Sequence, residues 1–362
     1  MDIKAAVVRA PHGSFAIEPV KLDAPRDNEV LVKLTATGIC HTDLAIVEQI
    51  LPLPMPYVLG HEGAGVVVEV GKAITGIEKG DHVVLTFGSC GTCRECSAGH
   101  PAYCPAAPLL NFAGRRTDGS ATIHDARGDV VNAAFFGQSS FATHCIAPAR
   151  HVIRVRRDAP LKFLGPLGCG LMTGAGAVLN VLKPHADSTF AIFGSGALGF
   201  AALFAAQLMG CQRIVAVDRV KSRLDLAREL GATDVVDTSQ ADLDKALTEI
   251  GGCDLALDTT GVPKVIEAAI RGLKPCGQLA LLGASTESTM SLNIMHMISG
   301  RILRGIVEGD ADPVRFIPYL VERFLEGDFP IDRIAEFYPF EQINAAVTAS
   351  TSGKTIKSIL TF

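Results

Sequence analysis

Between residues 189 and 306 the chain alternates short apolar runs with segments of helical periodicity, and few folds accommodate that rhythm. The runs at 189–193, 213–217, 234–236, 254–257, 278–282 and 302–306 read as strands. Helical patterns at 197–209, 220–230 and 262–273 fall between them. Strand, crossover helix and strand, repeated, predict an α/β domain built on a doubly wound parallel sheet, the Rossmann arrangement. The first half of the chain is different. Short β runs at 3–8 and 29–34, separated by turn clusters such as Pro25-Arg26-Asp27-Asn28, read as a mainly β unit. The pattern changes near Thr173 and turns mixed after Val307, where helical patterns at 312–326 and 340–349 precede a closing strand at 358–362. These changes place one domain at 173–307, inserted into another formed by 1–172 and 308–362. A chain of 362 residues has room for two such cores.

The inserted domain carries Gly194-Ser195-Gly196-Ala197-Leu198-Gly199 directly after a predicted strand and before a predicted helix. In that context Gly194 permits a tight turn, Gly196 lets the backbone approach a pyrophosphate, and Gly199 lets the helix pack on the sheet. The helix N-terminus offers unpaired N–H groups to the phosphates. The next strand ends in Asp218, whose carboxylate can accept from an adenosine ribose and repel a 2′-phosphate. NAD is therefore expected over NADP, although Arg219 adjoins the acid.

The ten cysteines need a different explanation from disulfides. The first thirteen residues lack an apolar core followed by a cleavage site, and no run of about 18 apolar residues occurs. A cytoplasmic protein is expected, where thiols serve metals or catalysis. Cys90, Cys93, Cys96 and Cys104 lie within fifteen residues, a spacing that lets one loop close a tetrahedral zinc site. A ferredoxin-like cluster would need a final gap of three residues where this chain has seven, and a redox switch is the other alternative. The net charge of −5, spread without long runs of one sign, argues against nucleic acid or an anionic membrane as partner.

Residues 59–71, LGHEGAGVVVEVG, put His61 and Glu62 at the mouth of a stiff, β-branched strand. A histidine on such a support makes a good metal ligand when partners arrive from elsewhere. Residues 40–43, Cys40-His41-Thr42-Asp43, end another strand and read, taken alone, as a satisfied loop. In the loop-rich stretch 108–140 the pair Arg115-Arg116 reads as a solvated surface, and Phe135-Phe136 as core before pocket.

Together these pieces resemble the zinc-dependent, medium-chain alcohol dehydrogenases over essentially the whole length, from GHEGAG and the four-cysteine loop to GSGALG and the final GKTIKSILTF. CHTD at 40–43, NFAG at 111–114, FFGQSSFAT at 135–143 and LGPLGCG at 164–170 resemble the bacterial aryl-alcohol (benzyl alcohol) branch. The resemblance implies a GroES-like catalytic domain and a Rossmann NAD domain, with two zinc ions per chain. It implies Cys40, His61 and Cys169 as ligands of an open catalytic zinc, the ligand set known for alcohol dehydrogenase. The cysteine quartet then holds a structural zinc.

By the same resemblance Asp43 orients His61, Glu62 is the acidic neighbour of the metal, and Thr42 takes the alcohol proton. His41 and Lys357 are implied as phosphate-contacting cations, with Thr173, Leu198 and Arg223 as further cofactor contacts. Phe87, Phe135 and Phe136 are candidate walls of the substrate pocket. Ala45 stands where many relatives carry a histidine that completes a proton relay, so the relay here must take another route. The expected reaction is oxidation of a primary, aromatic alcohol to the aldehyde, with hydride passed to NAD. An aliphatic or glutathione-linked formaldehyde dehydrogenase is the near alternative, and a non-catalytic NAD-sensing zinc protein the distant one. A homo-oligomer, dimer or tetramer, is implied, with the apolar stretch 291–306 as its contact surface.

Overall fold

The computed structural model describes residues 1–283, 287 and 289–362, which divide into two units. Met1–Cys169, Asp312–Gly327 and Ile331–Phe362 form the first; Gly170–Ala311 and Asp328–Pro330 form the second. The expected boundary at Thr173 falls inside the helix Gly170–Gly176, so the first unit ends earlier, at Cys169. The return falls later than 308, at Asp312. The turn Glu308–Asp310 lies so close to that helix that a Cβ on Gly176 would meet the Gly309 carbonyl oxygen at 2.4 Å. Asp328–Pro330 belongs to the second unit, where Phe329 packs edge-on against Phe204 at 5.4 Å.

The first unit is built on two sheets. One runs, in spatial order, Tyr57–Val58, Asp2–Val8, Phe15–Leu22, Ile123–His124 and Val130–Val131. The other runs Val152–Val155, His82–Leu85, Gly63–Val70, Glu29–Gly38, Lys357–Thr361 and Ala335–Pro339, with His144–Pro148 also paired to Glu29–Gly38. Its central pair is antiparallel, with Thr37 opposite Gly63. The chain therefore leaves one strand beside the point where it enters the other, which brings Cys40 to His61 across 20 intervening positions of sequence.

The 108–140 stretch is tied down more firmly than its composition implied. Arg116 donates to both carboxylate oxygens of Glu29, to Asp23 and to the Ala121 carbonyl, and its side chain is only 7% exposed. The expectation of a solvated charge fails here because the loop folds back onto the first turn of a core strand.

In the second unit six parallel strands follow the order Asp234–Asp237, Arg213–Asp218, Thr189–Phe193, Cys253–Asp258, Leu273–Leu281, Ile302–Gly305. Numbered by sequence this is 3-2-1-4-5-6, the doubly wound order of dinucleotide-binding sheets. The helices Ala197–Leu208, Lys221–Glu229 and Pro263–Gly272 fall within the expected spans. A further helix, Leu243–Ile250, capped by Asp242, was missed because its apolar face is short. No helix among the described residues is long and apolar enough to cross a membrane.

Candidate active site

One donor atom from each of Cys40, His61, Glu62 and Cys169 lies within 4.8 Å of all the others. Cys40 caps the helix His41–Val47 at the end of the strand Glu29–Gly38, and His61 immediately precedes the strand Gly63–Val70. Cys169 follows the 3-10 turn Gly165–Gly168, which presses against two backbones at once. A Cβ on Gly165 would meet the Glu62 carbonyl oxygen at 2.1 Å, and one on Gly168 would meet that of Leu85 at 1.9 Å. Only glycines let Cys169 come this close.

Asp43 organises the cluster from a fully buried position. Its Oδ1 lies 3.0 Å from His61 Nδ1 and accepts from the Gly60 N–H, while Oδ2 accepts from the Cys40 N–H. With Nδ1 engaged, the other ring nitrogen is the one left for a metal. His61 Nε2 is buried with no hydrogen-bond partner among the described residues. A bond from the Cys169 thiol pulls Cys40 well below the ordinary thiol range, outweighing burial, with His61 and Lys357 adding to the effect. Burial opposes a charged His61, yet Asp43 and Cys40 outweigh it and raise the imidazole well above its usual value. A site that favours both a thiolate and a positive charge suits a bound cation. Two thiols and one imidazole whose Nε2 is buried without a partner therefore fit zinc.

Glu62 is fully buried and its carboxyl is raised by burial, against the pull of Lys357. The Lys357 ammonium lies 2.5 Å from Glu62 Oε2 and donates to the Ile39 carbonyl at 2.9 Å. Two of its three donors are thus engaged behind the cluster, where a contact with a cofactor phosphate alone was expected. Thr42 Oγ1 stands 3.7 Å from Cys40 Sγ, and His41 is exposed at the start of its helix.

The candidate pocket residues separate on inspection. Phe136 stacks on His61 at 4.4 Å between ring centres and 23° between planes. Phe135 is fully buried and meets His61, Phe136, Tyr57 and Phe112 edge-on, so it backs the stack and does not line open space. Phe87 is almost as deeply buried. Ala134, Phe136 and Ser139 all have positive φ, at 61°, 50° and 56°. Backbone strain of this kind, about 1–3 kcal/mol per residue, persists where the surroundings over-determine it, as at functional sites.

Sequence reasoning missed Gln138 and Phe112. The Gln138 amide donates to the His61 carbonyl at 2.9 Å and accepts from the Gly63 N–H at 3.1 Å, bracketing the histidine. Phe112, half-buried, lies edge-on to Phe136 at 5.3 Å. The only signal for either was its place in the FFGQSSFAT and NFAG motifs.

The second cysteine group is local. Cys90 and Cys96 sulfurs lie 4.0 Å apart, and those of Cys93 and Cys104 3.9 Å. Four sulfurs at about 2.3 Å from one zinc ion would stand about 3.8 Å apart, so the quartet is close to tetrahedral spacing. Backbone N–H groups of Thr92 and Cys93 pull Cys90 down to about 6, which readies a thiolate. All four positions are sulfur, and none is open.

In the second unit Gly194 has φ +98° after the strand Thr189–Phe193, and a Cβ on Gly199 would meet the Gly194 carbonyl oxygen at 2.0 Å. A Cβ on Gly196 would meet nothing, so its approach is open to a ligand. Asp218 Oδ2 accepts from the Ser195 N–H, and Oδ1 from those of Arg219 and Val220. Leu198 and Arg223 are half-buried on the two helices that flank this acid in sequence. Thr173 Oγ1 donates to Glu308 at 3.3 Å.

The alcohol dehydrogenase GroES-like domain model matches residues 26–157, and the zinc-binding dehydrogenase model matches 197–322. Geraniol dehydrogenase of Castellaniella defragrans is 42% identical over the whole of this chain and 98% of its own. The chain belongs to the zinc-dependent medium-chain alcohol dehydrogenases. Among solved structures of this family, benzyl alcohol dehydrogenase from Acinetobacter calcoaceticus is 41% identical with a TM-score of 0.96. A zinc-binding alcohol dehydrogenase domain protein from Burkholderia ambifaria is 48% identical with a TM-score of 0.98. Each match covers 100% of this chain and 99% of the other. The chain is accordingly an alcohol dehydrogenase that uses zinc and a nicotinamide cofactor on a small-molecule alcohol.

Proposed function

We propose that this alcohol dehydrogenase oxidises a primary, benzyl-type alcohol to its aldehyde, reversibly, with NAD as hydride acceptor. The observation that carries the aromatic reading is the ring stack at the cluster: Phe136 lies on His61, and Phe112 lies edge-on to Phe136. A flat apolar substrate gains most from a surface of that kind. Similarity to a benzyl alcohol dehydrogenase supports the same reading.

In this reading Cys40, His61 and Cys169 hold a catalytic zinc ion, and Cys90, Cys93, Cys96 and Cys104 a structural one. The catalytic ion supplies Lewis acidity that lowers the pKa of an alcohol oxygen. Asp43 keeps the Nδ1–H of His61 pointing at itself, so that Nε2 presents its lone pair. The Thr42 hydroxyl accepts the alcohol proton and passes it onward by a route that does not use position 45. Lys357 pairs with Glu62 beside the ligands and opposes the effect of burial on its carboxyl.

Asp218, fixed by three backbone N–H groups, accepts from the ribose hydroxyls and disfavours a 2′-phosphate. Gly194, Gly196, Leu198 and Gly199 shape the pyrophosphate turn, with His41, Thr173, Arg223 and Lys357 as the remaining cofactor contacts. The enzyme acts as a cytoplasmic homo-oligomer. Ile294, Met295, Ile298 and Ile302 are 48–74% exposed beside the edge strand Ile302–Gly305, and they form the contact surface with a second copy.

The geraniol dehydrogenase relative favours a second reading, an allylic isoprenoid alcohol. Specificity constants for benzyl alcohol, cinnamyl alcohol, geraniol, hexanol and ethanol, each with NAD and NADP, decide between them. The proposal expects benzyl and cinnamyl alcohols to lead with NAD. Geraniol ahead of both selects the second reading, and a preference for ethanol or hexanol overturns the first and second alike.

A further inference from the structure

In the NFAG segment Phe112 has its place beside Phe136, but the first residue, Asn111, has no part in the chemistry above and makes an unusual set of contacts. Asn111 is buried on the helix Ala107–Phe112. Its Oδ1 accepts from the Gly88 N–H at 2.6 Å, while Nδ2 donates to the Gly88 carbonyl at 3.1 Å and to the Ala107 carbonyl at 2.9 Å. One side chain thus satisfies both backbone groups of Gly88, as a neighbouring strand would. The Ala107 bond belongs to the helix itself. The two Gly88 bonds reach 23 residues back along the chain and need another reason.

Gly88 sits at a junction. Two residues beyond it is Cys90, the first of the quartet, and directly before it is Phe87. Thr86 donates its hydroxyl to the Gly168 carbonyl at 2.8 Å, the residue before Cys169. On the other side, the Ala107 N–H donates to the Cys104 carbonyl at 2.9 Å, so the Asn111 helix starts from the last cysteine of the quartet. Phe112, the next residue after Asn111, packs on Phe136, which stacks on His61. Two lines of contact therefore run from the quartet, one through Gly88 and Thr86 to Cys169 and one through the helix and Phe112 to His61, and Asn111 ties the two together at Gly88.

We propose that Asn111 is a positioning residue that transmits the state of the cysteine quartet to the Cys40–His61–Cys169 site. The metal in the quartet fixes Cys104 and Cys90; Asn111 locks the helix after one to the strand end before the other. Phe87, Thr86 and the Cys169 turn then keep one arrangement. Without the amide, the Gly88 N–H and carbonyl lose their partners in the interior, and the segment relieves that loss only by moving. This inference rests on the reading of the three-ligand site as a metal site that takes the alcohol.

The test is a double-mutant cycle on the intact protein, with cobalt in the three-ligand site as a visible probe and zinc in the quartet. Wild type, Asn111→Ala, Cys96→Ser and the double variant are compared by cobalt absorption and by KM and kcat for benzyl alcohol. Asn111→Ala is expected to keep both metals, displace the cobalt bands and raise KM about 10-fold, with kcat less affected. Cys96→Ser is expected to disturb the quartet and, through it, to displace the cobalt bands and raise KM to a similar extent, and the double variant to be no worse than the worse single one. Effects that multiply in the double variant overturn the proposal. Should Cys96→Ser not fold, the series wild type, Asn111→Asp and Asn111→Ala decides, because Asp keeps the acceptor for the Gly88 N–H. A graded displacement supports the inference, and bands and KM unchanged in both variants overturn it. A wild-type protein that takes no cobalt at Cys40, His61 and Cys169 contradicts the metal-site reading itself.

Discussion

The two candidate metal-binding groups of the first unit are assembled in opposite ways. The quartet draws four like donors from fifteen consecutive residues and lies near the surface, with three of its four cysteines half-exposed. The other group draws two thiols, an imidazole and a carboxylate from positions 40, 61, 62 and 169, and three of the four are buried. The quartet needs only its own loop to form. The buried group needs the pairing of Glu29–Gly38 with Gly63–Val70, the glycine-lined turn before Cys169, and Asp43 beneath. Local assembly produces a closed, saturated site. In the proposed reading, assembly by the whole fold gives a mixed site with a position left for substrate.

Cutting each group once is the strongest way to break this comparison. Cys169→Ser is expected to lower kcat/KM at least about 1000-fold, since Lewis-acid stabilisation is worth several kcal/mol, while thermal unfolding changes little. Cys93→Ser is expected to act mainly on the fold, lowering the unfolding temperature through loss of a folding-coupled metal while kcat/KM falls only about 10-fold. Parallel activity and melting measurements check both. If Cys93→Ser abolishes turnover in protein that remains folded, and Cys169→Ser does not, the assignment of open and closed sites is inverted.

Support from outside the ligands comes next. Asp43→Asn keeps the shape but removes the charge that orients His61, and metal affinity at the buried site is expected to fall about 10- to 100-fold. Competition with a chromophoric chelator measures it. The quartet, whose sulfurs accept from their own backbone N–H groups, should hold its metal unchanged in the same protein.

A smaller effect concerns His151, a buried ring close against Gly88 and Gly137, the residues after Phe87 and Phe136. Burial, with help from Arg150, pushes its pKa down to about 4. In the unfolded chain it titrates near 6.5, so the unfolded state binds the proton first as pH falls. Its contribution is complete above about pH 6.5 and is lost progressively down to about pH 4, ~3 kcal/mol in all. His151→Leu is expected to flatten the acid limb of stability relative to wild type by about that amount, measured by denaturant unfolding between pH 4 and 7. Identical acid limbs would show that the ring titrates freely.

The same contrast explains what could be read from the sequence. The quartet and the GSGALG turn were legible because their spacing is the site: the donors and glycines that act together are neighbours in sequence. Cys40, His61 and Cys169 carry no such spacing, and each alone reads as a loop or core residue; the resemblance to a family joined them. Asn111 and Gln138 stayed hidden because an amide that pairs with distant backbone leaves no pattern in composition or periodicity. Arg116 misled for the related reason that burial of a charge depends on Glu29, 87 positions away. Lys357 illustrates a partner chosen by sheet register, since Ile359 lies opposite Gly38 and that pairing carries the ammonium to Glu62.

The most direct measurement is metal content and benzyl alcohol oxidation followed together as a chelator is added in steps. The account predicts about two zinc ions per chain at the start and loss of turnover in proportion to the first one released, with the fold intact. Full activity in protein retaining only the quartet's metal, or a single zinc ion per chain in fully active enzyme, would contradict it.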